Sequence, residues 1–208
     1  MMADEVIVIG AGGHSKVVIS TLLELDFNII GILDDDERKL GTKFCGVPIL
    51  GTIELITKGN FLNAILAIGD NKIRKNIYEK YSTFSNWISL VHPHSYVHSS
   101  VNIGKGTVIF AGAIIQPDVL IGEHVIINTG VSIDHDCRIG DYVHLAPGVK
   151  LAGGVSIGEG SFLGINSAVI PGKKIGRWSI VGAGGIVVKD VNDSATVIGI
   201  PAKPMNAK

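Results

Sequence analysis

The residues best suited to chemistry lie in the stretch "VSIDHDCRIG" at positions 131 to 140, where two aspartates flank His135. An imidazole titrates near pH 6.5, so its neutral form can accept a proton from an attacking amine or hydroxyl group. A neighbouring carboxylate, from Asp134 or Asp136, would fix the tautomer and stabilise the imidazolium that forms. The stretch therefore predicts a general base if the chain builds a site around it; the alternative is a surface histidine among solvated acids.

The chain around His135 repeats every six residues. From Val91 to Val187, 17 consecutive sixth positions are aliphatic, and the position after each is often glycine. Neither the 3.6-residue period of a helix nor the alternation of an ordinary strand produces this pattern. A six-residue period is typical of a β-helix, in which each aliphatic residue stacks on the one a full coil away. Cys137 falls on an inward position of the repeat, so we expect a buried thiol there.

The first 90 residues follow another pattern. The stretch "EVIVIGAGGHSKVVISTLLEL" indicates a strand, a glycine turn and a helix; "FNIIGILDDD" indicates a strand that ends in three acids; "FLNAILAIGDNKIRKNIYEKY" repeats the first order. This alternation predicts a small parallel α/β domain. The glycine turn would present backbone N–H groups to a phosphate, and the acids follow at about the distance where such folds contact a ribose hydroxyl.

Two other functions fit parts of the sequence less well. A dinucleotide oxidoreductase needs a third motif glycine, where this chain has Ser15, and a second nucleotide-binding half, which the hexads replace from Val91 onward. A zinc site like that of the γ-class carbonic anhydrases is suggested by His92, His94 and His98, but the histidines of the central coils are not spaced as in that class. We therefore expect no metal.

The composition argues against several classes of protein. The net charge of −1 provides no basic field for nucleic acid or an anionic membrane. No apolar stretch approaches the roughly 20 residues that a membrane span needs, and the acidic start of the chain does not resemble a signal peptide. Two distant cysteines, Cys45 and Cys137, do not make a disulfide framework. We expect a cytoplasmic protein that binds neither nucleic acid nor membranes.

The stretches "IGKGTV", "IGEHVI", "IGDYVH" and "IGEGSF" resemble the hexapeptide-repeat acyltransferases. With "GVPILG", "AIGDNKIRKNI" and "VHPHSYVHSS" ahead of them, the whole chain resembles the bacterial sugar O- and N-acyltransferases of the sialic acid O-acetyltransferase (NeuD-like) family, above all the members that act on UDP-4-amino sugars in the bacillosamine pathway. The resemblance implies a Rossmann-like domain over residues 1–90 and a left-handed parallel β-helix with a C-terminal cap over 91–208. The left hand comes from the resemblance alone, because parallel crossovers are ordinarily right-handed.

The resemblance also implies a function and a set of site residues. It implies transfer of acetyl from acetyl-CoA to the amino group of a nucleotide-linked, UDP-type 4-amino-4,6-dideoxy sugar in a homotrimer, by direct attack with His135 as the general base. Asp136, where the family commonly has Glu, would orient His135, and Asn128 would lie near the reacting centre. The implied contacts of acetyl-CoA are His144, Gly153, Ile165 and Ala183, the last in place of a family glycine. The implied contacts of the nucleotide sugar are Gly12, Gly13, His14, Asp34, Asp35 and Gly69.

Two alternatives stay open at this stage. One is O-acetylation of sialic acid or a related glycan sugar. The other is a nucleotide-sugar-binding protein whose β-helix has no catalytic activity, although the His135–Asp136 pair argues against it.

Overall fold

The computed structural model describes residues 4–205, which form two compact units that divide between Pro93 and His94. No helix in this range is long and apolar enough to cross a membrane.

The first unit is a parallel sheet with helices. Its strands are β1 (Glu5–Ile9), β2 (Asn28–Leu33), β3 (Lys43–Phe44), β4 (Val47–Gly51), β5 (Asn63–Leu66), β6 (Asn86–Trp87) and β7 (Leu90–Val91); its helices are α1 (Gly13–Glu24) and α2 (Asn71–Tyr81), with 3-10 helices at Glu37–Lys39 and Ile53–Thr57. Six strands form a sheet in the order β3-β4-β2-β1-β5-β6, in which β3 is antiparallel to β4 and the other neighbours are parallel.

Strand β1 lies at the centre of this sheet, and four of its five residues are completely buried. A strand with both faces covered reads as a continuous apolar run, which explains "VIVI" at 6 to 9. Ile7 and Ile9 pack in one core cluster with Ile56 of the second 3-10 helix and with Tyr81 and Trp87. This core fixes the carboxyl end of β1, where the glycine turn begins.

The second unit is a three-sided parallel β-helix. Its strands are β8 (Tyr96–Val97), β9 (Asn102–Ile103), β10 (Val108–Ile109), β11 (Ile114–Ile115), β12 (Leu120–Ile121), β13 (Ile126–Ile127), β14 (Ser132–Ile133), β15 (Arg138–Ile139), β16 (His144–Leu145), β17 (Lys150–Leu151), β18 (Ser156–Ile157), β19 (Phe162–Leu163), β20 (Ala168–Val169), β21 (Lys174–Ile175), β22 (Ile180–Val181), β23 (Ile186–Val187), β24 (Thr196–Ile198) and β25 (Lys203–Pro204).

These strands form three faces. The first face contains β10, β13, β16, β19, β22, β24 and β25; the second contains β8, β11, β14, β17, β20 and β23; the third contains β9, β12, β15, β18 and β21. Strands that follow one another on a face are 18 residues apart up to β23, as in the parallel register Ile115, Ile133, Leu151. The inward aliphatic residues of the six-residue repeat are buried from Ile109 to Val187, and so is Cys137, while Val97 and Ile103 in the first coil are partly exposed.

The chain turns at three edges in each coil. We call the turn from the first to the second face the first edge (residues 128–130 in one coil), the next turn the second edge (134–136) and the last the third edge (140–142). Because one coil has 18 residues, positions that differ by 18 lie above one another on the same edge. The register therefore assigns each polar residue of the repeat to a particular edge or face.

The glycines that follow the aliphatic residues allow the coils to stack at the third edge. A Cβ atom on Gly140 would lie 2.7 Å from the backbone nitrogen of Glu159 in the next coil, and Gly122 and Gly158 meet backbone atoms as closely. Such contacts lie inside van der Waals separation and involve backbone, which cannot move aside as a flexible side chain can. Glycine is therefore required here by the spacing between coils.

His124 also lies at the third edge, away from the other histidines of the central coils. It has a φ of 52°, it is completely buried, and its ring stacks on that of Tyr142 with centroids 5.7 Å apart and planes 5° apart. A Cβ atom on Gly106, one coil earlier, would overlap the imidazole. The geometry therefore assigns His124 to packing between coils.

We predict that Gly140→Ala destabilises the β-helix by about 1–3 kcal/mol, the usual cost of overpacking, because the methyl group would overlap the backbone of the next coil. Urea unfolding of the purified protein measures the change. Ser132→Ala, at an outward strand position, is the control and should shift the unfolding midpoint little. Equal midpoints for the two variants would contradict the close stacking of the glycines.

Candidate active site

Three loops of the first unit surround a cavity of about 510 Å³. They follow β1, β2 and β5, so the cavity lies at the carboxyl ends of the central parallel strands, where open α/β sheets bind ligands. The cavity is lined by all six residues that sequence analysis associated with the nucleotide sugar: Gly12, Gly13, His14, Asp34, Asp35 and Gly69. The structure thus brings these residues together around one space.

The glycine turn leaves its backbone open to that space. Helix α1 begins at Gly13 with Gly12 as its N-cap, and a Cβ atom on either residue would meet no atom within 4 Å. A ligand can therefore approach the backbone closely, and the N–H groups at the start of the helix favour an anionic group such as a phosphate. Gly10 has a φ of 103°, and a Cβ atom there would lie 2.9 Å from a side-chain carbon of Ile68.

Ser15, which replaces the third glycine of the dinucleotide motif, braces this turn. Its buried Oγ lies 2.7 Å from the carbonyl oxygen of Gly10 and 3.1 Å from that of Ala67, and it accepts a hydrogen bond from the backbone of Gly12. One hydroxyl thus joins the loops after β1 and β5. Ser15 is at the N3 position of α1, where the side chain of a capping box reaches back to the N-cap backbone.

Asp34 is occupied by contacts within the protein. Its carboxylate accepts hydrogen bonds from the backbone nitrogens of Ala11 (2.6 Å) and Asp36 (2.9 Å), and the Nζ of Lys39 lies 3.2 and 3.3 Å from its two oxygens. A carboxylate has about four acceptor sites, and these contacts use them all. Asp34 therefore holds the loops after β1 and β2 together, a role that its position at the end of a strand did not reveal.

Asp35 is the acid with capacity for a ligand. It is exposed, and its Oδ1 accepts a hydrogen bond from the backbone of Ile53, while its Oδ2 accepts none within residues 4–205. Lys39 also lines the cavity, and sequence analysis did not find it because no motif marks its position. The cavity thus offers backbone N–H groups on one side and a carboxylate on another.

His135 lies at the second edge of the β-helix, and the structure distinguishes the roles of the two aspartates that flank it. Its Nδ1 is 2.8 Å from Oδ2 of Asp136, whereas Asp134 accepts a hydrogen bond from the backbone nitrogen of His135 at 2.9 Å. Asp136 thus orients the ring, and Asp134 fixes the backbone. The hydrogen bond to Asp136, helped by the negative charge of Asp134, raises the pKa of His135 above its usual 6.5.

Gly153 lies one coil beyond His135 and makes room for its ring. A Cβ atom on Gly153 would lie 2.7 Å from Cε1 and 2.8 Å from Nε2 of His135. The imidazole is nevertheless open to solvent, with 61% of its side chain exposed. The sequence suggested Gly153 only as a contact of acetyl-CoA. In the structure Gly153 also lies against His135, the residue expected to act as the base.

Asn128 and His144 form a second group, near the first edge. The Nδ2 of Asn128 lies 3.3 Å from Nε2 of His144, whose ring packs edge-on against Phe162 with centroids 5.2 Å apart. Ile165 and Ala183 follow Thr129 by 36 and 54 residues, that is by two and three coils, and so belong to the same edge. The first face also carries two exposed isoleucines that the sequence did not single out, Ile180 and Ile198.

The expected site residues of the β-helix therefore divide between two edges of one chain. His135, Asp136 and Gly153 lie at the second edge, while Asn128, which was expected near the reacting centre, contacts His144 near the first edge. The second face separates these two edges.

The metal alternative has no support in the geometry. Within residues 4–205, no group of three or more His, Cys, Asp or Glu side chains is arranged to hold a metal ion. His98 instead pairs with Ser100, with Nδ1 and Oγ 2.9 Å apart.

Comparisons with known proteins agree with this architecture. Residues 5–81 match the family described as PglD N-terminal domain, and residues 118–153 match bacterial transferase hexapeptide (six repeats). The structure is similar to perosamine N-acetyltransferase from Caulobacter crescentus, solved with CoA and GDP-perosamine, with 40% identity, a TM-score of 0.93 and coverage of 100% of this chain and 99% of that one. It is also similar to the acetyltransferase domain of PglB from Neisseria gonorrhoeae, with 36% identity, a TM-score of 0.92 and coverage of 97% and 99%.

The curated relatives match over less of their length. UDP-N-acetylbacillosamine N-acetyltransferase from Bacillus subtilis is 41% identical over 110 residues, which are 51% of each chain. The chain spans about half or less of the length of the curated relatives that it matches.

The full-length structural matches confirm the predicted fold class, a Rossmann-like α/β domain followed by a left-handed parallel β-helix. The Rossmann-like cavity, the His135–Asp136 pair and these matches lead to one assignment. The chain belongs to the PglD-type family of hexapeptide-repeat sugar N-acetyltransferases.

Proposed function

We propose that this protein transfers acetyl from acetyl-CoA to the amino group of a nucleotide-linked 4-amino-4,6-dideoxy sugar, with His135 as the general base. The observation that carries the proposal is the hydrogen bond between His135 and Asp136 at an exposed edge of the β-helix. Because Asp136 accepts the hydrogen bond from Nδ1–H, Nε2 is the nitrogen that can take a proton from the amine.

In the proposed reaction the sugar nitrogen attacks the thioester carbonyl carbon, and a C–N bond forms. His135 accepts the amine proton, and the carboxylates of Asp134 and Asp136 stabilise the imidazolium. The C–S bond then breaks, and His135 returns the proton to the sulfur of coenzyme A. Direct transfer is supported by the state of Cys137, which is buried and whose thiol pKa is raised by desolvation, so that it is a poor nucleophile.

For the acceptor, we propose that the cavity of the first unit binds the nucleotide. The pyrophosphate would lie against the N–H group of Gly13 at the start of α1, where the helix dipole favours negative charge. Gly12, whose own N–H donates to Ser15, would let the ligand approach the backbone closely. Asp35 would accept a hydrogen bond from the nucleoside, since the acceptor sites of Asp34 are already occupied. Family resemblance favours UDP, while the relative from Caulobacter was solved with GDP-perosamine, so both nucleotides belong in the test.

We further propose a homotrimer with acetyl-CoA between subunits. Asn128 and His144 lie near the first edge and His135 lies at the second, so a side-by-side contact around a three-fold axis would bring one subunit's first edge to its neighbour's second edge. The exposed Ile165, Ile180 and Ile198 offer an apolar surface for the pantetheine arm. Cyclic symmetry would give three equivalent sites.

The first prediction for this function is that the protein acetylates a UDP- or GDP-linked 4-amino sugar with acetyl-CoA. Release of the coenzyme A thiol measures the rate, and mass spectrometry identifies the product. His135→Ala should lower kcat by roughly 10²–10⁴-fold, the usual share of general acid–base catalysis, with an unchanged circular dichroism spectrum. Near wild-type kcat in this variant would refute the assignment of the base. O-acetylation of sialic acid without amine turnover, or nucleotide-sugar binding without turnover, would support one of the two alternative functions.

The pH dependence gives a second prediction. The neutral imidazole is the active form, so kcat/KM should fall as pH drops through the pKa of His135, with a midpoint above 6.5 because Asp136 and Asp134 raise that pKa. Asp136→Asn removes the carboxylate whose hydrogen bond is the largest cause of the raised pKa of His135, so the midpoint should move downward. Asn suits the left-handed backbone of position 136, where φ is 60°. A midpoint that stays in place would exclude Asp136 as the partner of the base.

Mixed oligomers give a third prediction. If each site takes His135 from one subunit and His144 from its neighbour, His135→Ala and His144→Ala chains refolded together should regain activity in about a quarter of the sites of a three-fold ring. The control mixes His135→Ala with the double variant, which should stay inactive. Verified mixed trimers without activity would contradict a site shared between these two histidines.

A further inference from the structure

Arg74, in the first turns of α2, is one of the largest completely buried side chains of the described residues, with 1% exposure. Its Nη1 donates to the carbonyl oxygens of Ile68 (3.1 Å) and Gly69 (3.3 Å), and its Nη2 donates to Oδ1 of Asn71 (2.9 Å). Ile68 and Gly69 line the cavity assigned above to the nucleotide sugar. Arg74 therefore holds one wall of that cavity from its buried side.

The geometry of the peptide unit gives this contact a direction. In a trans peptide the C=O of one residue and the N–H of the next point in opposite directions. Since the carbonyls of Ile68 and Gly69 point toward Arg74, the N–H groups of Gly69 and Asp70 point away from it. We propose that Arg74 is a positioning residue that holds the backbone of Ile68 and Gly69 in place as the wall that the bound nucleotide sugar contacts; this inference rests on the proposed function of the cavity.

The chemistry of arginine suits this role. A guanidinium is planar and carries five donors in a fixed fork, so one side chain can hold two successive carbonyls and a side-chain amide at once. Lysine keeps the charge but offers a point charge on a flexible stem. Arg74→Lys should therefore retain only part of the affinity for the nucleotide sugar that Arg74 provides, and Arg74→Met should lose that contribution.

The test measures KM for the nucleotide sugar, KM for acetyl-CoA and kcat, together with calorimetric binding of UDP and GDP. Arg74→Met should raise KM for the nucleotide sugar roughly ten- to hundred-fold, the value of a hydrogen bond to a charged group, and leave KM for acetyl-CoA unchanged. Lys72→Met, an exposed change on the same helix, controls for loss of charge. Leu22→Ala, a buried change on α1, controls for loss of stability in the same unit.

A purely structural role for Arg74 would give a different result. In that case Arg74→Met and Leu22→Ala would raise KM for the nucleotide sugar equally at matched loss of thermal stability, and the proposal would be wrong. If Arg74→Met does not fold, the wild-type protein still decides: the amide resonances of Ile68 and Gly69 must shift on titration with UDP or GDP, and unshifted resonances would overturn the proposal. Absence of turnover with every nucleotide sugar, with these shifts present, would refute the acetyltransferase activity instead.

Discussion

The parallel pairing of each strand with the strand 18 residues further along the chain determines the arrangement of the β-helical unit. This register brings the inward aliphatic residues into one core and assigns every polar residue to an edge or a face. It also makes the distance between coils so short that glycine is needed at Gly140 and its equivalents. The position of His135 over Gly153 follows from the same register, because the two residues are one coil apart.

The division of the site residues between two edges is a consequence of that register. A turn of a three-sided coil separates residues that are close in sequence, so Asn128 and His135 belong to different edges although only seven positions separate them. A β-helix can therefore present different chemical groups at different edges with the same short repeat. Association of identical chains is then a direct way of combining them.

The sequence predicted the fold because both units have strong periodic patterns. It also predicted which residues gather around the cavity, since the glycine turn, the acids after β2 and Gly69 all follow central parallel strands. It could not predict which aspartate contacts the ring of His135 and which contacts its backbone. Asp134 and Asp136 flank His135 symmetrically in sequence, and only side-chain geometry distinguishes them. The contact of Ser15 with Ala67 was missed for a similar reason, because only the folded sheet brings these two residues together. The partners of Arg74 are close to it in sequence, but no motif marks an arginine that turns back to the loop before its own helix.

The contacts of Asp34, Ser15 and Arg74 hold the loops around the cavity of the first unit in place before any ligand binds. Asp34 and Ser15 connect the three loops to one another through the protein's own hydrogen bonds, and Arg74 fixes the loop after β5 through its carbonyl oxygens. The loops are thus preorganised, and a ligand that enters does not pay the conformational entropy of ordering them. Asp35 differs from these three residues because its Oδ2 is open toward the cavity, so a substitution there changes the groups that a ligand would meet while the contacts of Asp34, Ser15 and Arg74 remain.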